Sequence, residues 1–112
     1  MTLFEKIIAR QIPAQIVHET DRAIAFRDIH PVAPVHVLVV PKRPLRNLAD
    51  ASADDEALLG HLMWVAAEVA RAEGIAASGY RVVVNNGAHA GQTVDHLHLH
   101  VLGGRALGWP PG

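Results

Sequence analysis

The segment HLHLH at residues 96–100 places His96, His98 and His100 at every second position. Side chains alternate across a β-strand, so this spacing directs the three imidazoles to one face and the intervening leucines to the other. A neutral imidazole is a good nucleophile near pH 7, because its unperturbed pKa is about 6.5. Neighbouring imidazoles can hold an anion or protonate a leaving group. The segment therefore favours nucleophilic catalysis over three unrelated polar residues.

The loop before the histidines, NNGAHAGQT at residues 85–93, supports the same chemistry. Gly87 and Gly91 offer backbone N–H groups that we expect to be free to form an anion-binding nest. Thr93 adds a hydroxyl. A nucleophile, an anion cradle and proton donors together suggest attack on phosphorus, although the loop by itself would be interpreted as an ordinary turn.

A metal site is the competing interpretation of the histidines. His96 and His98 could ligate zinc together, with His36 or His89 as a further ligand. However, at a rise of about 3.3 Å per residue, the Cα atoms of His96 and His100 lie roughly 13 Å apart, and three such rings converge on one ion only if the strand curves sharply. We therefore predict no bound metal and no cofactor.

The composition limits the classes of protein to consider. The 112 residues suit one domain, and half of them are hydrophobic, so the chain should fold. A net charge of −1 gives no reason to expect nucleic acid or an anionic membrane as the partner. The absence of cysteine excludes disulfides and thiolate metal sites. Neither a membrane-spanning run nor a signal peptide is apparent, so we expect a soluble cytoplasmic protein.

The hydrophobic pattern predicts two helices and five strands. Helical spacing of apolar residues from Phe4 to Ile12 predicts a short N-terminal helix that ends before Pro13. A long helix is predicted from an N-cap at Ser52 to a C-cap at Gly74. The predicted strands are residues 14–20, 22–29, 36–41, 80–87 and 93–104.

Because the strands cluster instead of alternating with helices, we predict an α+β fold with a five-stranded antiparallel sheet. The long helix should cover the face that carries Leu97, Leu99 and Val101. The opposite face, with the histidines, must then be polar, bind a ligand or pack on a second copy. Asp95 falls on the core face in this prediction, and the sequence shows no partner for its charge.

These residues resemble a known family. HLHLHVL matches the alternating signature of the histidine triad (HIT) superfamily, and GQTVDHLHLHVLGGR and WPPG are similar to its Hint branch, the histidine triad nucleotide-binding proteins. Residues 4–43, 58–63 and 79–87 resemble the same branch, so the resemblance covers essentially the whole chain. It implies one HIT domain over residues 1–112, with sheets joined across a homodimer and an irregular tail at 105–112 near the dimer interface.

The resemblance also implies an activity. Hint proteins bind purine nucleoside monophosphates and hydrolyse nucleoside phosphoramidates, including adenosine 5′-monophosphoramidate and aminoacyl adenylates, through a nucleotidyl-histidine intermediate and without a metal. The alternatives are a dinucleoside polyphosphate hydrolase of the Fhit type, a nucleotide-binding interaction module and a zinc-binding regulatory protein. The closing Leu-Gly-Gly-Arg and Trp-Pro-Pro-Gly favour the Hint branch over the Fhit type.

Carried over by position, the resemblance implies a role for each histidine of the signature. His98 attacks the α-phosphorus, His100 contacts the phosphate, His96 completes the triad and His36 is the fourth active-site histidine. The implied nucleotide-binding residues are Phe4, Ile7, Phe26 and Ile29 for the base, Asp28 for the ribose, and Asn85, Gly91, Gln92 and Thr93 for the phosphate.

Three further positions stand apart from these roles. Trp109 is expected near the active site of the dimer, at the leaving group or packed in the interface. Neither His30 nor His89 receives a role from the resemblance.

Overall fold

Five strands form one antiparallel sheet, with a long helix on one face and a short N-terminal helix on the other. The computed structural model describes all 112 residues. The elements are α1 (Leu3–Ile8), β1 (Ile16–Glu19), β2 (Ala23–Arg27), β3 (Val35–Pro41), α2 (Glu56–Ala72), β4 (Tyr80–Val84) and β5 (Leu99–Gly103). The strand order is β1-β2-β3-β5-β4, and every neighbouring pair is antiparallel. The predicted fold class is confirmed.

Strict alternation in β2 divides its side chains between the two faces of the sheet. Ala23 and Ala25 belong to the core under α2, whereas Ile24 and Phe26 belong to the cluster under α1. All four are buried. The small alanines allow α2 to approach the sheet closely, and the large side chains fill the opposite face.

The predicted core face of the histidine segment is confirmed. Leu97, Leu99 and Val101 are buried in the same cluster as Leu62 and Val65 of α2. The opposite face is not simply polar, however, because α1 brings Phe4 and Ile7 onto it.

Two predicted boundaries of helices are wrong for local reasons. The predicted N-terminal helix runs to Ile12, but α1 ends at Ile8 because Arg10 takes a left-handed conformation, with φ of 60°, that reverses the chain. Ser52 caps a single 3₁₀ turn over residues 53–55, and α2 begins only at Glu56. Gly74, with φ of 74°, follows the end of α2 as predicted.

The last strand is also shorter than predicted, and this changes the site. The predicted strand spans residues 93–104, but β5 begins at Leu99, so His96 and His98 precede it. The backbone N–H of Leu97 donates to the carbonyl of Leu45, at 2.6 Å, rather than to a neighbouring strand. The segment before β5 therefore leaves the sheet ladder. None of the helices combines the length and the hydropathy needed to cross a bilayer.

Candidate active site

A cavity of about 300 Å³ lies on the α1 face of the sheet. Its apolar wall includes all four residues predicted to hold a base, Phe4, Ile7, Phe26 and Ile29. Three of these are also buried members of the core, whereas Ile29 is 80% exposed and forms part of the rim. The polar part of the lining includes Asp28, His30, Thr93, His98 and His100.

His98 is held so that one ring nitrogen keeps its lone pair. Its Nδ1 lies 2.7 Å from the carbonyl oxygen of His96. A carbonyl can only accept, so Nδ1 carries the proton and donates it. In the neutral ring, Nε2 is then the unprotonated nitrogen. The ring also packs edge-on against Phe4 of α1, with ring centroids 5.0 Å apart, which restricts its rotation.

His36 and His100 form a hydrogen-bonded pair whose direction follows from a backbone donor. The N–H of Val32 donates to Nδ1 of His36 at 3.1 Å, so the proton of the neutral His36 ring is on Nε2. That Nε2 lies 2.9 Å from Nδ1 of His100, which must accept. The remaining nitrogen of His100, Nε2, therefore carries its proton.

His96 differs from the other two triad histidines in its surroundings. It is 1% exposed, does not line the cavity, and donates from Nε2 to the carbonyl of Pro41 at 2.7 Å. This side-chain bond satisfies a carbonyl at the end of β3, beyond the last residue that pairs with β5. The carbonyl oxygen of His96 thus orients the ring of His98, and the ring of His96 connects the segment before β5 to the end of β3.

Burial keeps His36, His98 and His100 neutral. It is the main cause that lowers the pKa of His98 below 6.5, against the smaller opposing effects of the hydrogen bond to the His96 carbonyl and of the Asp28 carboxylate. Burial likewise lowers the pKa of His36, against a smaller opposing effect of Asp28. Burial also lowers the pKa of His100 to about 4, aided by the neighbouring His98 and His36. At neutral pH the site therefore offers an unprotonated nitrogen on His98 and a neutral N–H on His100.

Asp28 lies just beyond β2 with its two carboxylate oxygens in different roles. Oδ1 accepts the backbone N–H of His30 at 2.8 Å, and Oδ2 lies 3.4 Å from Nε2 of His36. The carboxylate is part of the cavity lining. It can therefore accept further hydrogen bonds from hydroxyl groups of a ligand.

The predicted nest at Gly87 and Gly91 is wrong, because both backbone N–H groups are already bonded within the loop. The Gly91 N–H donates to the carbonyl of Ala88 at 3.0 Å, and the Gly87 N–H donates to Oε1 of Gln92 at 2.9 Å. The Gln92 amide also donates to the carbonyls of Arg46 and Val94. Gln92 and the short 3₁₀ turn at residues 88–90 thus stabilise the loop instead of presenting donors to a ligand.

Backbone donors for an anion are found two residues further on. The N–H groups of Thr93 and Val94 donate to no acceptor within the chain, and both residues line the cavity next to His98. Together with the Thr93 hydroxyl they are the free donors in this part of the cavity lining, in place of the predicted glycine N–H groups. Val94 was missed because an apolar side chain carries no signal of its backbone role.

Six of the predicted site residues lie outside the cavity lining: His36, His96, Gly91 and Gln92, described above, and Asn85 and Trp109. Asn85 follows β4 and is half-buried. Trp109 lies in the irregular tail and is 82% exposed, with the Arg81 guanidinium 5.8 Å from its ring centroid. Asp95, which seemed to need a partner, is not in a strand; its side chain is 70% exposed and lies 3.8 Å from the Arg46 guanidinium.

Comparison with known proteins identifies the family of this chain. A family model of the HIT domain matches residues 9–107. The chain belongs to the HIT family. The predicted superfamily is thereby confirmed, while membership of the Hint branch stays a prediction.

Three relatives show how far the similarity of this HIT protein extends. An uncharacterized HIT-like protein of Synechococcus elongatus is 57% identical over 111 residues, covering 99% of this chain and 96% of that protein. The structure of a HIT family hydrolase from Legionella pneumophila has a TM-score of 0.97 at 46% identity, with both chains fully covered. A HIT family hydrolase from Clostridium thermocellum has a TM-score of 0.93 at 45% identity, covering 96% of this chain and 93% of that one.

The possible metal ligands that converge in this HIT protein match the predicted set only in part, since His36 and His100 are joined by Asp28 rather than by His96 and His98. Asp28, His36 and His100 have ligand atoms within 4.8 Å of one another. Nε2–H of His36 donates to Nδ1 of His100 at 2.9 Å, so these two nitrogens are bonded to each other and not free to bind a metal. Neither His96 nor His98 belongs to this group.

Proposed function

We propose that this HIT protein is a purine nucleoside phosphoramidase that cleaves the P–N bond of nucleoside 5′-phosphoramidates. The solved relatives described as HIT family hydrolases support hydrolysis in general. The observation that carries the finer proposal is the orientation of His98. Its Nδ1 is committed to a carbonyl, so the unprotonated Nε2 belongs to a ring that lines the cavity beside the donors of Thr93 and Val94.

The first chemical step is attack by Nε2 of His98 on the α-phosphorus. A P–Nε2 bond forms, the P–N bond to the amine breaks, and its electron pair leaves with the amine nitrogen, which takes up a proton. In the second step water attacks phosphorus and loses a proton, which balances the one that the amine takes up, the P–Nε2 bond breaks, and a nucleoside monophosphate is released. The N–H groups of Thr93, Val94 and His100 are the donors for the negative charge on the phosphoryl oxygens.

The rest of the cavity suits a nucleoside. Phe4 and Phe26 pack edge-on, with centroids 5.5 Å apart, and form the core of a flat apolar slot for a base. Asp28 at the end of the same cavity accepts from the ribose hydroxyls. An apolar slot distinguishes purines from each other poorly, so adenine and guanine nucleotides are both substrates in this proposal.

We also propose a homodimer with a continuous sheet. Strand β4 is an edge strand, and an unpaired edge is open to pairing with another chain. Tyr80, Trp64 and Trp109 are large exposed side chains of the kind enriched at interfaces. Sedimentation velocity at micromolar concentration should give a dimer, and a monomer would contradict this part of the proposal.

The activity is tested with adenosine 5′-monophosphoramidate and diadenosine polyphosphate as competing substrates after treatment with EDTA. We expect release of AMP from the phosphoramidate at the higher kcat/KM, with no loss on chelation. Preference for the polyphosphate would favour the Fhit type, and loss on chelation would contradict the metal-free mechanism. Nucleotide binding without any turnover would favour an interaction module.

The intermediate is tested by rapid quench with a radiolabelled phosphoramidate. We expect the unsubstituted protein to carry an acid-labile, base-stable labelled adduct, and His98→Ala to carry no label. His18→Ala is the matched control, because His18 lies on β1 at the far edge of the sheet and outside the cavity.

A further inference from the structure

Arg105 follows β5 and reaches back over the loop that precedes His36. Its Nη2 donates to the carbonyl of Val32 at 3.0 Å, and its Nη1 donates to the carbonyl of Ala106. No role in the site was expected for this arginine, which is exposed and lies outside the cavity lining.

The residue that Arg105 holds is the one that orients His36. The carbonyl of Val32 accepts from Arg105, while the N–H of Val32 donates to Nδ1 of His36. The side chain of Val32 is 62% exposed and does not line the cavity, so the residue acts through its backbone. A continuous series of hydrogen bonds then runs from Arg105 through Val32 and His36 to Nδ1 of His100.

The glycine before Arg105 allows the two segments to approach. Gly104 has φ of +89°, and a Cβ at this position would lie 2.8 Å from Cβ of Pro34 in the same loop. Any side chain here would both be strained and push the loop away. The close approach of Gly104 and the hydrogen bond of Arg105 therefore restrain one loop at two points.

Without the Val32 donor, only the Asp28 carboxylate, whose Oδ2 lies 3.4 Å from Nε2 of His36, would still favour a proton on Nε2. A neutral imidazole with Nδ1 protonated would present a lone pair at Nε2, facing the lone pair of His100 Nδ1. His100 would then have to turn or move its own proton to Nδ1, and its Nε2 would no longer be a donor. The proton on Nε2 of His100 thus depends on the position of the Val32 backbone.

We propose that Arg105 is a positioning residue for catalysis, which fixes the tautomers of His36 and His100 by holding the Val32 backbone. The consequence for turnover rests on the proposed phosphoramidase function, whereas the consequence for the tautomers does not. The two parts can therefore be tested separately.

The tautomers are read from long-range ¹H–¹⁵N correlation spectra of the imidazole nitrogens. In the unsubstituted protein at pH 7 we expect His36 to be protonated at Nε2 alone. Arg105→Ala should give a mixture of tautomers at His36, and Arg105→Lys should restore part of the preference. Val32→Pro, which removes the N–H but keeps the carbonyl, should weaken the preference most, leaving only the effect of Asp28. Arg71→Ala is the matched control, because Arg71 is an exposed arginine whose partner Glu68 lies on its own helix.

The kinetic arm uses the same variants with adenosine 5′-monophosphoramidate. Loss of one hydrogen bond from a charged donor should lower kcat about tenfold with little change in KM, since the base and ribose contacts are untouched. Circular dichroism checks that each variant is folded, and the exposure of both Val32 and Arg105 makes retention of the fold the expected result.

Three outcomes would overturn the proposal. The first is a protonated Nδ1 on His36 in the unsubstituted protein. The second is an unchanged His36 tautomer in folded Arg105→Ala and Val32→Pro. The third is a fall in kcat with no change of tautomer, which would make Arg105 a merely structural residue. Absence of phosphoramidase activity in the unsubstituted protein would instead contradict the proposed function and leave the tautomer test intact.

Discussion

The two faces of the sheet differ in what they bury, although the same strands supply both. The core under α2 is a cluster of fourteen buried hydrophobic residues. The α1 face buries only six hydrophobic residues and adds His36, His96 and His98 together with the cavity. The polar side chains of the second face are each hydrogen-bonded, and no buried side-chain polar atom lacks a partner.

Neighbouring residues of one strand can thus have different roles, one in packing the core and the next in lining the cavity. Leu99 and Val101 pack under α2, while His100 between them points to the cavity side. A substitution on the α2 face should therefore change stability, and one on the α1 face should change chemistry. Substitutions on each face test this division.

The largest effect is expected from removal of the nucleophile. His98→Ala should lower kcat by at least about a thousandfold, because no other group can form the covalent intermediate. Binding of AMP should remain measurable by calorimetry, since the apolar slot and Asp28 are intact. Turnover that survives in His98→Ala would show that another group attacks.

The matching substitution on the α2 face is Leu62→Ala. Leu62 is fully buried in the core under α2, so the cavity left behind should lower the free energy of unfolding by about 2–5 kcal/mol. Urea denaturation measures this loss. The folded fraction should keep its kcat and KM, and a large change in either would mean that the two faces are coupled.

The free energy of unfolding should depend on pH through three histidines of the α1 face. The folded pKa values of His36, His98 and His100 lie below 6.5, so the unfolded chain binds more protons as pH falls from 6.5 toward 4. Stability contributed by these groups is present above pH 6.5 and is lost through that window. Urea midpoints measured from pH 7 to 4 should therefore fall, and His100→Asn should reduce the slope.

The activity should follow the protonation of His98. Because its pKa is lowered by burial, kcat/KM should stay constant down to below pH 6.5 and then fall about tenfold per pH unit. A profile that already falls above pH 7 on lowering the pH would contradict the neutral, buried nucleophile.

A smaller effect is expected at the ribose. Asp28→Asn should weaken binding of AMP about tenfold through the loss of charge-assisted hydrogen bonds, and binding of 2′-deoxy-AMP by less. Equal losses for the two nucleotides would remove the ribose role. Calorimetric titration of the two ligands provides the comparison.

The smallest effect should come from the rim of the cavity. Ile29 is exposed, so Ile29→Ala should change the free energy of unfolding by less than about 0.5 kcal/mol. The affinity for AMP should still fall severalfold, because Ile29 contributes apolar area to the slot. An unchanged affinity would restrict the slot to Phe4, Ile7 and Phe26.

The sequence was sufficient for the features that repeat locally. A period of two in HLHLHVL determines which side chains share a face, and Leu97, Leu99 and Val101 lie under α2 as this period requires. The clustering of strands predicts the antiparallel sheet, and the resemblance predicts the family. Local patterns carry this information because each depends on neighbouring residues alone.

The tertiary structure alone decided how the histidines differ from one another. His96 is buried against Pro41, 55 residues away in sequence, and His36 meets His100 across β3 and β5 from 64 residues away. Hydrogen bonds over such separations set which ring nitrogen of His96 and of His100 carries a proton, whereas backbone groups two and four residues away do so for His98 and His36. The N–H groups of Gly87 and Gly91 bond to acceptors inside their own loop, which leaves those of Thr93 and Val94 as the free backbone donors beside His98. The sequence thus determined which histidines share a face, and only the folded structure decided which nitrogen of each ring is unprotonated.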